Sequence, residues 1–224
     1  MTVTIFYTPG SCALGCMAAL GYAGIHYETE LVELRGERTE LRRYNPAGRV
    51  PTLVRGDFVL TETPAIIRWI AEEAPHAALL ATDREERARG DAIMNWMSSH
   101  LHILRRRQFL PILFAQGEAA QAEVRAMARP LYEAEVARLD ALIGSGALAA
   151  PGLQAYALVF LNWALIDEVP ADKLTNLRRV LGAFAKYPGV GQALEFNDSA
   201  IAAESRERTL GQGIEICRSP SLIG

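Results

Sequence analysis

Val3-Thr4-Ile5-Phe6-Tyr7-Thr8-Pro9-Gly10-Ser11-Cys12-Ala13-Leu14 is the stretch from which the fold is read. Its first five residues are β-rich. Thr8 to Ser11 then break the strand and open a helix, expected from about Cys12 to Tyr22 and closed by Gly24. Tyr27 to Leu34 alternates sides through Tyr27, Thr29 and Leu31, which predicts a second strand. A strand-helix-strand order of this length forces a parallel pair. An arginine-rich polar stretch leads to Asn45-Pro46-Ala47-Gly48. After it, Pro51 to Val54, the turn Arg55-Gly56-Asp57 and Phe58 to Leu60 read as a hairpin. Thr63 is a good N-cap and Pro64 suits a first helical position, so a helix is expected from there to Glu73, stopped at Pro75. The sum is a small mixed sheet covered by helices, an α/β domain of thioredoxin-like type over residues 1–78.

Beyond a linker at 79–83 the pattern is helical throughout, and an all-α bundle domain is expected over 84–210 with a tail at 211–224. A long helix from Arg84 to Phe109 should run unbroken to Pro111. Another spans about Ala119 to Ile143, with Pro130 as a kink. Gln154 to Ile166 is apolar nearly all round and should be the buried centre of the bundle. Leu174 to Ala185 and Val190 to Phe196 complete it.

With 224 residues, 50% of them hydrophobic and 22% charged, the chain is globular, and a net charge of -3 gives no reason to expect nucleic acid or an anionic membrane as partner. Only Lys173 and Lys186 among the 23 basic residues are lysine, a bias read as base composition in an alanine-rich chain. Met1 to Tyr7 lacks the basic segment of a secretory leader, and the longest apolar run, Ala155 to Ile166, is too short to span a bilayer. Three cysteines, Cys12, Cys16 and Cys217, allow no even disulfide framework and match no zinc spacing. A cytoplasmic protein without a metal is the expectation.

Three motifs can carry chemistry. Cys12 stands at a helix start, where unpaired N–H groups and the dipole stabilise an anion. Such a position lowers the pKa of its own thiol, holds the thiolate of another molecule, or is simply a small residue opening a helix. Cys16, one turn on, does not complete a C-x-x-C pair and reads as packing. Pro51 enters a strand, so it belongs at an edge, a bulge or a cis turn. In a cis turn the N–H and C=O of Val50 would face outward towards an extended peptide; an ordinary loop proline is the other reading. Glu62 and Thr63 could hold the ammonium and carboxylate of an amino acid, or Thr63 could be a plain cap.

Taken in order, these stretches resemble the glutathione transferases. The resembling residues are Tyr7 to Leu14, Asn45 to Leu53, and Leu60-Thr61-Glu62-Thr63 leading into Ala65 to Ile70. In the second half they are Asn95-Trp96 with His102, and Leu177 to Leu181 through Pro188. The Pro-Gly-x-Cys turn is similar to that of the bacterial beta class. The resemblance implies a glutathione transferase that joins the glutathione thiolate to a small electrophile in a pocket between the domains, as a homodimer. It puts Cys12 against the glutathione sulfur, with Ser11 as rival and His102 assisting. Val50 and Pro51 would meet the cysteinyl part, Glu62 and Thr63 the γ-glutamyl end, and Arg35 or Arg49 the glycyl carboxylate. Asn95, seven residues before His102 and so expected on its face, would reach glutathione across the dimer. Arg105 and Arg106 would line the electrophile pocket and favour an acidic substrate. Two alternatives stay open: thiol–disulfide or peroxidase chemistry through Cys12, and a non-catalytic binding protein on the same fold. One departure is the missing Ser/Thr-x-x-Asp capping box, replaced here by Pro151-Gly152-Leu153-Gln154.

Overall fold

The computed structural model describes residues 2–33 and 37–198. Val3–Tyr7 (β1), Ala13–Tyr22 (α1) and Tyr27–Leu31 (β2) form the strand-helix-strand unit, with β1 and β2 parallel and Val3 beside Tyr27. Thr52–Arg55 (β3) and Phe58–Thr61 (β4) form the hairpin; Gly56 in its turn has a φ of +63°. β3 runs antiparallel to β1, which gives the sheet order β2-β1-β3-β4. β2 ends at Leu31, three residues before the sequence expectation. The arginine-rich stretch after it contains a short helix the pattern did not announce, Thr39–Tyr44 (α2). The next helix, Thr63–Glu73 (α3), begins one residue earlier than predicted: Glu62, not Thr63, is its N-cap, with a φ of +69° and no side-chain cap.

The second half opens with Arg84–Trp96 (α4), where the Asp83 carboxylate accepts from the N–H groups of Glu85 and Glu86 at 3.0 and 2.9 Å. The helix expected to run unbroken to Phe109 is divided by a π-helical turn over Met97–Leu101; His102–Phe109 (α5) follows it. Glu118–Gly144 (α6) carries Pro130 within it. Pro151–Ile166 (α7) starts three residues earlier than predicted and is buried along almost its whole length. Its first turn is tied down without a capping box: the Gly152 N–H donates to the Leu79 carbonyl at 2.8 Å, and Gln154 Nε2 donates to the carbonyls of Leu148 and Ala149. Thr175–Phe184 (α8) and a last helix over 188–198 (α9) close the bundle. The tail at 211–224, and the end of the second domain as predicted, lie outside the described residues.

α1 is apolar all round because it is covered on all sides, by the sheet, α3 and α7; Ala13 to Leu20 are all buried. Each large side chain buried here contributes roughly 1.5–3 kcal/mol. Residues of both halves share one continuous core. Where α1 ends against α9, Gly21 and Gly189 meet backbone to backbone, and a Cβ on Gly21 would lie 2.2 Å from the Gly189 carbonyl oxygen. No helix among the described residues is long and apolar enough to cross a membrane.

Candidate active site

The turn between β1 and α1 is built by its own side chains. Gly10 has a φ of +70°, a conformation that favours glycine. The Thr8 hydroxyl donates to the Val32 carbonyl at 2.7 Å, fixing the strand end. Ser11 Oγ accepts from the N–H groups of Thr8 at 3.4 Å and Ala13 at 3.3 Å, which leaves the hydroxyl proton free to donate outward. Both peptide groups of Gly10 are held from the helical half. Trp163 Nε1 on α7 donates to its carbonyl at 2.6 Å, and its N–H donates to Asn197 Oδ1 on α9 at 2.8 Å. Neither Trp163 nor Asn197 was found from the sequence. An indole on the otherwise apolar α7 was the available signal for the first; Asn197, on a helix that also carries Gln192 and Glu195, had none.

Cys12 is buried, and its Sγ lies 3.7 Å from Nδ1 of His102, the first residue of α5. Burial pushes the Cys12 thiol up to about 12, against the opposing pull of Arg105 and of its own backbone N–H. Burial lowers His102 to about 4, helped by the positive charges of Arg106 and Arg105. At neutral pH the pair is therefore a protonated thiol beside an uncharged imidazole. Of the readings open for a cysteine at a helix start, this geometry fits a hydrogen-bond donor to another molecule's thiolate better than an ionised nucleophile.

Arg105 makes a two-pronged ion pair with Asp167, at 2.9 and 3.3 Å. Its guanidinium also lies between two rings, 4.6 Å from Trp163 and 5.1 Å from Phe109. The Trp163 ring in turn packs 5.0 Å from His102. Arg105 thus braces the wall behind the histidine, and Arg106 is half-buried beside it. Asn95 is exposed on α4, and its carbonyl takes the hydroxyls of Ser98 and Ser99. It does not share the face of His102: the intervening π turn closes i→i+5 and carries an extra residue, which upsets the seven-residue spacing.

The segment before β3 is shaped by Asn45 and Thr52, both buried. Asn45 Nδ2 donates to the Arg49 carbonyl and to Thr52 Oγ1, each at 3.0 Å, while Asn45 Oδ1 accepts from the Ala47 N–H. The Val50–Pro51 bond is cis, and among the described residues the N–H and C=O of Val50 have no hydrogen-bond partner. The side chain of Arg49 is exposed. Glu62 is exposed at the start of α3, while Thr63 is buried. Burial, with Cys12 close by, raises the Cys16 thiol, in keeping with a packing role. Arg35 lies outside the described residues.

A thioredoxin-like half, a helical half, and a thiol-bearing turn beside an unpaired strand entrance define a transferase-like class of protein. The family description "Glutathione S-transferase, N-terminal domain" matches residues 10–73. A glutathione S-transferase of Xanthomonas campestris pv. campestris is 31% identical over 185 residues, covering 77% of this chain and 88% of that protein. A maleylacetoacetate isomerase of Pseudomonas aeruginosa is 30% identical over 185 residues, covering 78% and 87%. Other curated relatives are matched over only about half their length, 51% and 46%. Among solved structures, a glutathione transferase homologue from Sulfitobacter with bound glutathione superposes with a TM-score of 0.79 at 22% identity, covering 87% of this chain and 97% of that one. A bacterial beta-class transferase of Sphingomonas chungbukensis gives 0.72 at 27%, covering 87% and 98%. The chain belongs to the glutathione transferase family.

Proposed function

We propose that the chain conjugates glutathione to small electrophiles, with Cys12 and Ser11 as neutral hydrogen-bond donors to the glutathione sulfur. The observation that carries this reading is the buried Cys12 thiol at the opening of α1, its sulfur 3.7 Å from Nδ1 of His102. In this reading glutathione lies extended, its cysteinyl backbone on the free N–H and C=O of Val50 beside Pro51. Glu62 takes the ammonium of the γ-glutamyl end and the Thr63 N–H its carboxylate, at the positive end of α3. Arg35 or Arg49 serves the glycyl carboxylate. The thiol loses its proton at the start of α1, with the uncharged His102 imidazole as a nearby acceptor. Lowering a thiol pKa by two units takes about 2.7 kcal/mol, within the reach of a helix terminus and one or two charge-assisted hydrogen bonds. The thiolate then attacks an electrophilic carbon: the S–C bond forms and the leaving group departs with its electron pair. The same reading makes the working protein a cytoplasmic homodimer, with Asn95 facing the partner's glutathione.

Retention on immobilised glutathione, followed by turnover on a panel of aryl halides, epoxides and enones, tests this reading. Failure to bind glutathione at millimolar concentration overturns it. A second reading is favoured by the relative named maleylacetoacetate isomerase. A thiolate that adds to a conjugated double bond, allows rotation and leaves again isomerises the acid without consuming glutathione. Turnover of a cis-unsaturated diketo acid at catalytic glutathione, with no conjugate formed, would favour it. Mixed-disulfide or peroxidase chemistry through Cys12 has the raised thiol pKa against it.

A further inference from the structure

Arg105 is a buried arginine three residues after His102 on α5. Its two-pronged pair with Asp167 is nearly closed to solvent, with side-chain exposures of 11% and 18%. The guanidinium sits 4.6 Å from the ring of Trp163, the indole that grips the Gly10 carbonyl and packs 5.0 Å from His102. Phe109 lies 5.1 Å from the same guanidinium. A lysine ammonium could make neither the fork nor the stack.

Helix chemistry does not account for this pair. Asp167 is the C-cap of α7, where an acid faces the negative end of the helix. Arg129 already serves that end, donating to the backbone carbonyls of Asp167 and Glu168. Stability accounts for it no better, because apolar groups of similar volume often replace a buried ion pair without loss. The charges around the pair point to the thiol turn instead. The positive charge of Arg105 opposes the effect of burial on the Cys12 thiol and adds to the effect of burial on the His102 imidazole. Arg106 on the same helix acts in the same sense on both, and Glu62 from α3 opposes them at Cys12. On the α6 side, burial raises the Tyr132 hydroxyl, Asp167 adds to the rise and Arg105 works against it.

We propose that Arg105 is a positioning residue for the transfer reaction: pinned by Asp167 against Trp163, it is a fixed positive charge behind His102 that steadies the glutathione thiolate, and Asp167 sets how much of that charge the sulfur feels. This rests on the reading that glutathione binds with its sulfur beside Cys12. A charge held in place before the substrate arrives needs no reorganisation when the thiolate forms. Asp167 is a moderator in this arrangement, since it holds the guanidinium in position and offsets part of its field.

The test uses the full chain with Arg105→Gln, with Asp167→Asn, and with both together. Calorimetry measures glutathione binding, and the ultraviolet absorbance of the thiolate against pH gives the pKa of the bound thiol. Arg105→Gln is expected to raise that pKa by about 0.5–1 unit, the effect of one nearby charge in a partly screened site. Asp167→Asn is expected to lower it, because the guanidinium stays and its counter-charge goes. The double variant should return near the native value. The acid limb of kcat/KM against pH should move with the same signs. Loss of a merely structural brace would move all three variants in one direction, towards free glutathione. Should Arg105→Gln fail to fold, with Asp167 left buried and unpaired, the other two variants carry the test: a lowered value in Asp167→Asn and its loss in the double variant are still required. A native chain that binds glutathione, with variants that leave the thiol pKa unmoved or move it in one direction only, overturns this proposal and leaves the catalytic reading standing. A native chain that binds no glutathione overturns both.

Discussion

His102 offers the sharpest quantitative test because its environment shifts its pKa far and in one direction. Its folded value is lowered to about 4 by burial and by the charges of Arg106 and Arg105, whereas a histidine in an unfolded chain titrates near 6.5. Between those values the unfolded chain binds the proton and the folded chain does not, so stability rises with pH through this window. The contribution is complete above pH 6.5 and is lost as pH falls towards 4. For a displacement of that size, acidification from pH 7.5 to 5 removes about 2 kcal/mol, with the full loss approaching about 3 kcal/mol near pH 4. Urea unfolding curves for the native chain and His102→Gln, at one protein concentration and at pH 7.5, 6.5, 5.5 and 5, isolate this component. The variant should be less stable at neutral pH, through lost packing on Trp163, but should fall less on acidification, by about 2 kcal/mol over the same span. The Glu133 carboxylate, whose pKa is lowered by Lys173 and Arg129, loses its own contribution only at more acid pH and leaves the window clear. Parallel acid limbs for the two proteins would refute the assignment of a buried neutral imidazole beside Cys12.

Three further outcomes are expected. Cys12 without glutathione should alkylate with iodoacetamide at pH 8 on the order of a hundredfold or more slower than free cysteine, because little thiolate exists when the thiol is pushed up to about 12; peptide mapping assigns the rate, and near-free reactivity would sink the donor role. Trp163→Phe keeps a ring near His102 and Arg105 but leaves the Gly10 carbonyl without its donor, a loss of about 1–3 kcal/mol by urea unfolding and a raised KM for glutathione. Gly21→Ala should lower Tm although alanine favours helix by about 1 kcal/mol, because its Cβ would meet the Gly189 carbonyl at 2.2 Å; an unchanged or higher Tm would contradict the close contact.

The fold was legible where local chemistry and tertiary structure agree. Strand and helix periods and the proline punctuation placed β1, α1, the hairpin and the helical half within a few residues. The misses have physical causes. The cover of the cis turn and β3 lies in α2, a six-residue helix too short for periodicity to show. The π turn at Met97–Leu101 has no composition of its own, so the sequence predicts a regular Asn95–His102 spacing. α7 starts at Pro151 because the Leu79 carbonyl, distant in sequence, receives its first N–H.

The candidate site divides along the same line. Ser11, Cys12, Val50 and Glu62 were readable because each stands at the end of an element, where unpaired backbone groups mark the position. Trp163, Asn197 and Asp167 were not, because what they do depends on contacts spanning 62 to 187 residues of chain. Those contacts explain why the thiol turn cannot be assigned to the first half alone. Gly10 needs glycine for its φ, and glycine is the residue least able to hold a turn by itself. An indole from α7 and an amide from α9 supply the restraint, each through a peptide group that the turn leaves unpaired. The shared core between α1 and α7 and the Gly21–Gly189 contact fix the distance over which those two bonds must reach. A shift between the halves would therefore be felt first at Gly10, two residues from Cys12, before any side chain of the site had moved by itself.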